Sequence, residues 1–153
     1  MRRREKEITD INEIEDIIFK SDVCRVGLSN NGQPYVVPVN FGYENMTLYI
    51  HAALEGRKID IIKKNNKVCA VFDIDHEFLK TDKVCKWSTS YRSVMAFGKA
   101  FLIENPGEKR RALDIIVSHY GGHPDDYKDS IIDKTAIIKI EIESVTGKIS
   151  GYK

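Results

Sequence analysis

The sequence predicts a mainly β fold with peripheral helices, in which six antiparallel strands form a small barrel. Apolar residues alternate with polar ones in several runs, as at Val68, Ala70 and Phe72, and this is the period of a strand with one buried face. Consecutive strands are joined mostly by turns, with too few residues between them for repeated βαβ units. The length of 153 residues suits one domain, so we expect residues 1–153 to form a single domain.

The first predicted element is a helix over Ile11–Lys20. Asp10 can cap its N-terminus, and Glu13 can complete a capping box. The helix has one apolar stripe, formed by Ile11, Ile14, Ile17 and Ile18. A single apolar stripe indicates a helix that packs on the barrel with one face.

Two strands are predicted over residues 23–29 and 33–43, joined by the hairpin signal Asn30-Asn31-Gly32. Pro38 has no backbone N–H to give to a ladder, so we expect the second strand to be an edge strand or to be bulged there. A third strand follows over residues 47–52 after the turn at Glu44-Asn45.

The rest of the chain alternates strands with two helices. In order, we predict a helix from Gly56 to about Asn65, a strand over 67–75, a polar irregular connection over 77–88, a strand over 91–104 interrupted by Gly98, a helix from Pro106 to Gly121, a turn-rich piece over 124–129 and a strand over 135–145. Asn105 and Pro106 are a typical helix start, and Gly121-Gly122 is a typical helix end.

Composition and charge exclude several classes of function. The chain has 24 Lys and Arg against 23 Asp and Glu, for a net charge of +1. This balance gives no electrostatic reason to expect a nucleic acid or an anionic membrane as a partner. No stretch resembles a signal peptide or approaches the length of a membrane span. We therefore expect a cytoplasmic protein.

The three cysteines predict reduced thiols rather than a disulfide or a zinc site, because their number is odd and no Cys-x-x-Cys spacing occurs. Cys24 and Cys69 lie in apolar runs and are expected in the core. Cys85 lies in a polar stretch and is expected to be the reactive one. His119 and His123 have the spacing of a helical metal pair, but Gly121-Gly122 would break the helix between them. No metal site is predicted.

A candidate phosphate site lies where the strand ending near His51 gives way to the helix opened by Gly56-Arg57-Lys58. The first turn of a helix has unpaired N–H groups and the positive end of the macrodipole. Two cations there can seat a phosphate. Alternatively, Arg57 and Lys58 only solvate the helix end, although their charge then opposes the dipole.

Three other segments admit both a structural and a functional interpretation. Pro38 frees backbone groups that could face a flat heteroaromatic ligand, or it marks a bulged edge strand. His51 is a candidate for proton transfer, or a hydrogen-bonded core histidine. Trp87 and its neighbours to Ser93 could cover an aromatic cofactor or a subunit contact, or close one end of the barrel. His119 lies on an apolar helix stripe and needs a partner there.

Several stretches, taken in this order, resemble the pyridoxamine 5′-phosphate oxidase-like flavoproteins, and more narrowly their nitroimidazole-resistance branch. They are VCRV at 23–26, GQPYVVPVNF at 32–41, LYIHAA at 48–53, GRK at 56–58, RSVMAFGKA at 92–100, EKRRAL at 108–113 and HYGG at 119–122. The likeness covers nearly the whole chain.

The resemblance implies a six-stranded split barrel that forms a homodimer and binds FMN in two clefts along the dimer interface. It implies that the isoalloxazine is lined by Val37, Pro38, Val39 and Asn40. His51, Ala52 and Ala53 would run beneath the ring and the ribityl chain, with His51 in the reaction pocket. Arg57 and Lys58 would hold the phosphate, and the partner subunit would contribute its own copies of Trp87 and Ser93.

The function expected from the resemblance is an FMN-dependent oxidoreductase. It would take electrons from a reduced donor and pass them to a small electron-poor acceptor such as a nitro compound. A flavin-binding or haem-binding protein without turnover is the alternative, because split barrels host both ligands. A barrel that binds single-stranded nucleic acid is a weaker hypothesis, since the near-neutral charge does not favour a basic groove.

Overall fold

A computed structural model describes residues 3–151 as an open antiparallel sheet with peripheral helices. The strands are β1 (Glu7–Ile8), β2 (Cys24–Asn30), β3 (Gln33–Val39), β4 (Gly42–Glu44), β5 (Thr47–Ala53), β6 (Lys67–Leu79), β7 (Ser88–Ile103) and β8 (Thr135–Ser150), and the helices are α1 (Ile11–Lys20), α2 (Arg57–Lys64), α3 (Pro106–His119) and α4 (Asp129–Ile132). The predicted fold class, a split barrel, is confirmed.

The sheet does not close on itself. Its strand order is β3-β2-β6-β7-β8-β5-β4, with β1 paired to β8. The ends of this path are β3 and β4, so β3 is an edge strand. The expectation that Pro38 lies on an edge is confirmed, and its register with Arg25 on β2 is regular, without a bulge. An edge position suits proline because only one side of such a strand needs ladder donors.

Residues 3–151 form eight strands rather than the predicted six. The predicted strand over 33–43 is two strands, β3 and β4, separated at Asn40 and Phe41. The two-residue strand β1 adds to β8 through the register Ile8↔Gly147. β1 is too short to produce a readable alternation, and the break after Val39 depends on a distant tyrosine described below.

The predicted irregular connection over 77–88 is partly a hairpin. The ladder between β6 and β7 continues to Leu79↔Ser88, after a bulge between Ile74 and Glu77. Asp75 has a φ of 57° at that bulge, a conformation that aspartate tolerates better than most residues. β8 also runs to Ser150, five residues beyond its predicted end at Val145.

The core lies inside the curved sheet and under α1 and α2. Ile14, Ile17 and Ile18 of α1 are buried, whereas Ile11 is 44% exposed and does not join the predicted stripe. Asp10 caps α1 as predicted, but its carboxylate accepts from the backbone of Asn12, two positions on. In the part of the chain that the structure describes, no helix is long and apolar enough to cross a membrane.

Candidate functional site

The candidate site lies where the two ends of the open sheet face each other and α2 closes the gap. A small apolar cavity there has walls from β2, β3, β5, α2 and β8, including Val37, Val39, Ile50, Lys58 and Ile138. Strands β3 and β5 are not hydrogen-bonded neighbours. The cavity shows that the fold nevertheless brings Val37 and Val39 close to Lys58, and to Ile50, the residue before His51.

The four predicted flavin contacts on β3 and at Asn40, the residue after it, divide between two faces. The side chains of Val37 and Val39 are half-buried and line the cavity. Pro38 and Asn40 are exposed on the outer face. A ligand on the outer face would therefore touch Pro38 and Asn40 directly, and would meet the two valines only through their backbone.

On β5, the same alternation separates Ala52 from its neighbours. Ala52 is 9% exposed and belongs to the core, so its side chain has little surface to offer a ligand. His51 and Ala53 are exposed on the other face, and among residues 3–151 no hydrogen bond holds the His51 ring. The interpretation of His51 as a hydrogen-bonded core histidine is therefore wrong.

At the start of α2, Gly56 has a φ of 134° and φ/ψ angles suited to glycine. The first intrahelical bond runs from Asp60 N to Gly56 O at 3.1 Å, so the N–H groups of residues 57–59 point out of the helix end. The Arg57 guanidinium lies 4.9 Å from the centroid of the Tyr35 ring. Within the described residues, no ion pair involves Arg57 or Lys58.

Lys58 is half-buried, and its aliphatic stem lines the cavity while the ammonium can reach the surface. Arg57 is exposed. Two cations without a carboxylate partner and three free N–H groups make the α2 start a good acceptor of a phosphate dianion. Tyr35 helps by orienting one of the cations.

Tyr120, the residue after α3, ties Asn40 to the rest of the fold. Its hydroxyl accepts from Asn40 Nδ2 at 3.2 Å and from Phe41 N at 3.1 Å. It donates to the carbonyl of Asp22 at 2.9 Å. The bond from Phe41 satisfies the backbone N–H at the break between β3 and β4. The Tyr120 bonds explain why the chain leaves the ladder there.

His119 has the partner that its place on the α3 stripe requires. Its Nε2 donates to the Ser21 carbonyl at 2.9 Å, and its ring packs 4.3 Å from that of Phe41. His119 is thus a structural residue beside Asn40. No group of three or more metal-ligating side chains gathers within residues 3–151.

Trp87 lies far from His51 within one chain, whereas Ser93 lies in the middle of the sheet, opposite Asp73 of β6 and Lys148 of β8. Trp87 directly precedes the 16-residue strand β7, whose last residue, Ile103, pairs with Ile137, the neighbour of His51. A strand of that length spans about 50 Å. The Trp87 indole donates to Thr81 O at 2.8 Å and meets Phe78 edge-on.

One residue of the site and one bond within it escaped prediction. Tyr35, under the Arg57 guanidinium, could have been found because it alternates with Val37 on one face of β3. The bond from Asn40 to the Tyr120 hydroxyl has no local signal, since 80 positions separate the two residues.

Cys24 and Cys85 have the expected exposure, whereas the prediction that Cys69 lies in the core is wrong. Cys24 is buried, Cys69 is half-buried and Cys85 is exposed. Burial raises the pKa of Cys24 to about 12 and also raises the pKa of Cys69. These two thiols are therefore poor nucleophiles, and the candidate site contains no reactive cysteine.

The family profile described as pyridoxamine 5′-phosphate oxidase matches residues 10–149. Among solved structures, a candidate 5-nitroimidazole antibiotic resistance protein from Bacteroides thetaiotaomicron is 42% identical, with a TM-score of 0.85 over 94% of this chain and 86% of its own. No curated protein matches the chain.

Two more distant structures share the fold. A flavocytochrome from Azotobacter vinelandii is 21% identical, with a TM-score of 0.85 over 99% of this chain and 72% of its own. An FAD and haem binding protein from Mycobacterium smegmatis is 18% identical, with a TM-score of 0.87 over 96% of this chain and 74% of its own. Together with the profile match, the likeness to the Bacteroides protein shows that this chain belongs to the pyridoxamine 5′-phosphate oxidase-like family and is similar to its nitroimidazole-resistance branch.

Proposed function

We propose that the protein is an FMN-dependent oxidoreductase of the nitroimidazole-resistance type, working as a homodimer in the cytoplasm. The flavin supplies the redox chemistry, carrying electrons from a reduced donor to a small electron-poor acceptor such as a nitro compound. The observation that carries the proposal is the pair of cations at the start of α2, close to the end of β5 that bears His51. The 42% identity to a candidate 5-nitroimidazole resistance protein supports the class of acceptor.

The residues around the α2 start fit the phosphate of FMN. The N–H groups of residues 57–59 and the side chains of Arg57 and Lys58 are all donors, and Tyr35 fixes the guanidinium. A phosphomonoester needs several donors from one direction. Pro38 and Asn40 on the outer face of β3, with His51 on that of β5, provide surface for the ring system.

His51 would hold and move a proton in this cleft. Its ring is exposed, and no hydrogen bond from the described residues fixes either nitrogen. An imidazole can donate or accept a proton near neutral pH. Electron transfer to a nitro group consumes protons, so a ring nitrogen of His51 is suited to deliver one.

Two features support a homodimer in which the partner subunit completes each cleft. The outer face of β7 carries Met95, Phe97 and Phe101, each more than 40% exposed, while the inner face has small residues such as Ala96 and Ala100. Large exposed side chains in a row are typical of an interface. The separation of Trp87 from His51 within one chain also supports a cleft to which two chains contribute.

The function can be tested by colour and by redox cycling. The purified protein is expected to be yellow, to release FMN on denaturation, to bleach with a reduced nicotinamide donor and to recover its colour with a nitroaromatic acceptor. Bound flavin that no donor reduces would contradict the oxidoreductase and leave the non-catalytic flavin binder. A colourless protein that does not take up FMN would contradict both.

A haem-binding protein is the second candidate, because two structures with the same fold are named for flavin together with haem or cytochrome. A Soret band in the purified protein, or after addition of hemin, would favour it. Its absence with full FMN occupancy would exclude haem as the resident group.

The dimer can be tested by light scattering and by mutation of the β7 face. The wild type is expected to have the mass of two chains. Phe97→Asp places a charge on the exposed face and is expected to give a folded monomer with weakened flavin binding. Ser118→Asp introduces the same charge at an exposed position of α3, away from the β7 face, and should leave the dimer intact.

A further inference from the structure

A second pocket, which we call the basic pocket, lies between the N-terminal segment, the start of β7 and the end of β8. Its volume is about 470 Å³, within the range of about 300–1,000 Å³ typical of small-molecule sites. Its lining includes the cations Arg3, Lys6 and Lys148 and the hydroxyl groups of Ser88, Tyr91 and Ser150.

None of the lining residues is acidic. Of the ion pairs formed within residues 3–151, none involves Arg3, Lys6 or Lys148. Glu7 pairs with Lys148 in the backbone register but does not line the pocket. Cations gathered without a counter-charge repel one another and create a positive potential.

The fold holds two of these cations in place by neutral contacts. Lys6 Nζ donates to Ser150 Oγ at 3.0 Å. The Lys148 ammonium donates to the Tyr91 hydroxyl and lies 5.0 Å from the centroid of the Tyr91 ring. An ammonium has three donors, so each lysine retains hydrogens that a ligand can accept.

The pairing of β1 with β8 brings the N-terminal cations to this place. A Cβ at Gly147 would lie 2.8 Å from Ile8 Cβ and 3.0 Å from Ile14 Cγ1, so the glycine allows β1 to pack closely. Lys6, which directly precedes β1, is thereby held against the end of β8. The pocket is assembled from three chain segments rather than from one mobile tail.

We propose that the basic pocket binds the phosphate or carboxylate group of a small organic anion. An oxyanion would accept from the lysines and the hydroxyl groups together, and its charge would offset the repulsion among the cations. The α2 site has separate cations. Lys148 pairs with Ser93, which in the proposed dimer faces the partner's flavin, so the test compares anion binding with and without FMN.

The test is a titration of the full chain with inorganic phosphate, and separately with acetate, at constant ionic strength. Amide NMR shifts are followed with the protein as purified and after saturation with FMN. We expect saturable shifts at residues 88–91 and 148–150 in both forms. The anion that binds with the higher affinity shows whether the pocket prefers a phosphate or a carboxylate group. Saturation by neither anion would overturn the proposal, and so would displacement of the bound anion by FMN.

Two lysine variants and a matched control complete the experiment. Lys148→Met and Lys6→Met are each expected to weaken binding by at least about tenfold, as expected for loss of a charge-assisted contact. Lys139→Met makes the same change on the same strand, at a residue that pairs with Glu141, and should leave binding unchanged. Equal affinity in all three variants would overturn the assignment, and far-ultraviolet circular dichroism establishes that each is folded.

Discussion

Asn40 Nδ2 donates to the Tyr120 hydroxyl over 3.2 Å, linking a candidate flavin contact to the end of α3. The same hydroxyl accepts from Phe41 N and donates to the Asp22 carbonyl. One oxygen thus fixes the break between β3 and β4, the Asn40 side chain and the segment between α1 and β2.

Tyr120→Phe removes this oxygen while it keeps the ring. We expect a loss of about 1–2 kcal/mol in the free energy of unfolding, because three partners lose their bond at a partly exposed site. Flavin binding should weaken as Asn40 becomes free to rotate. Urea unfolding and flavin titration measure the two effects. Tyr35→Phe is the control, since no hydrogen bond within the described residues involves the Tyr35 hydroxyl; an equal loss in both variants would contradict the role of Tyr120.

Replacing Arg57 and Lys58 together by alanine tests the phosphate site. Each charge-assisted contact is worth about 1.5–3 kcal/mol, so the double variant should bind FMN about 100-fold or more weakly while the fold survives. Fluorescence titration of FMN measures the change. The control Lys63→Ala with Lys64→Ala removes two lysines from the other end of the same helix. Unchanged FMN affinity in the first variant would show that the phosphate binds elsewhere.

His51→Ala separates chemistry from binding. We expect FMN to remain bound and turnover to fall by about 100-fold or more, the usual contribution of a proton-transfer residue. Stopped-flow measurement of flavin reoxidation by a nitroaromatic acceptor locates the effect in the acceptor step. His51→Gln keeps a polar side chain that cannot serve as a general acid or base and should be equally slow. Full activity of either variant would remove His51 from the mechanism.

The elements with local signals could be predicted from the sequence. The apolar alternation of Val68, Ala70 and Phe72 identified β6, and all three residues are buried. Asn105 caps α3 as predicted, its side chain accepting from Glu108 N at 3.0 Å. The step from β5 to α2 was also local, because Gly56 directly precedes the first residue of α2.

The missed features depend on distant parts of the chain or on exposed surfaces. The break at Asn40 depends on Tyr120, 80 positions away. The hairpin extension near Leu79 and Ser88 lies largely in solvent, so no buried face imposes an apolar alternation there. That Trp87 lies far from His51 follows only from the register of long strands, which composition and spacing do not reveal.

Gly98→Ala tests the close approach of β7 and β8. A Cβ at Gly98 would overlap the Glu141 carbonyl oxygen and lie 2.9 Å from its carbon, next to the bulge between Phe97 and Gly98. We expect a destabilisation of about 3 kcal/mol, measured as a lower urea midpoint. Gly27→Ala is the control, because its Cβ would lie at an ordinary 3.4 Å from Cys69 O. Equal stability of the two variants would contradict the predicted clash.

Tyr43 should make the stability fall at alkaline pH. Burial, and then its 2.7 Å bond to Glu15 Oε1, raise the pKa of Tyr43 from 10 to about 12. Between these values the unfolded tyrosine has lost its proton and the folded one retains it. The folded state therefore binds more protons, and the free energy of unfolding decreases as pH rises from 10 to 12. Stability contributed by neutral Tyr43 is fully present below pH 10.

Urea unfolding at intervals across that range measures the slope. Tyr43→Phe should be less stable at pH 8, because the hydroxyl also accepts from Met46 N, but its stability should fall less steeply above pH 10. Glu15→Gln keeps an acceptor without the charge and should remove only part of the slope. A slope in Tyr43→Phe as steep as that of the wild type would show that other groups cause the alkaline loss of stability.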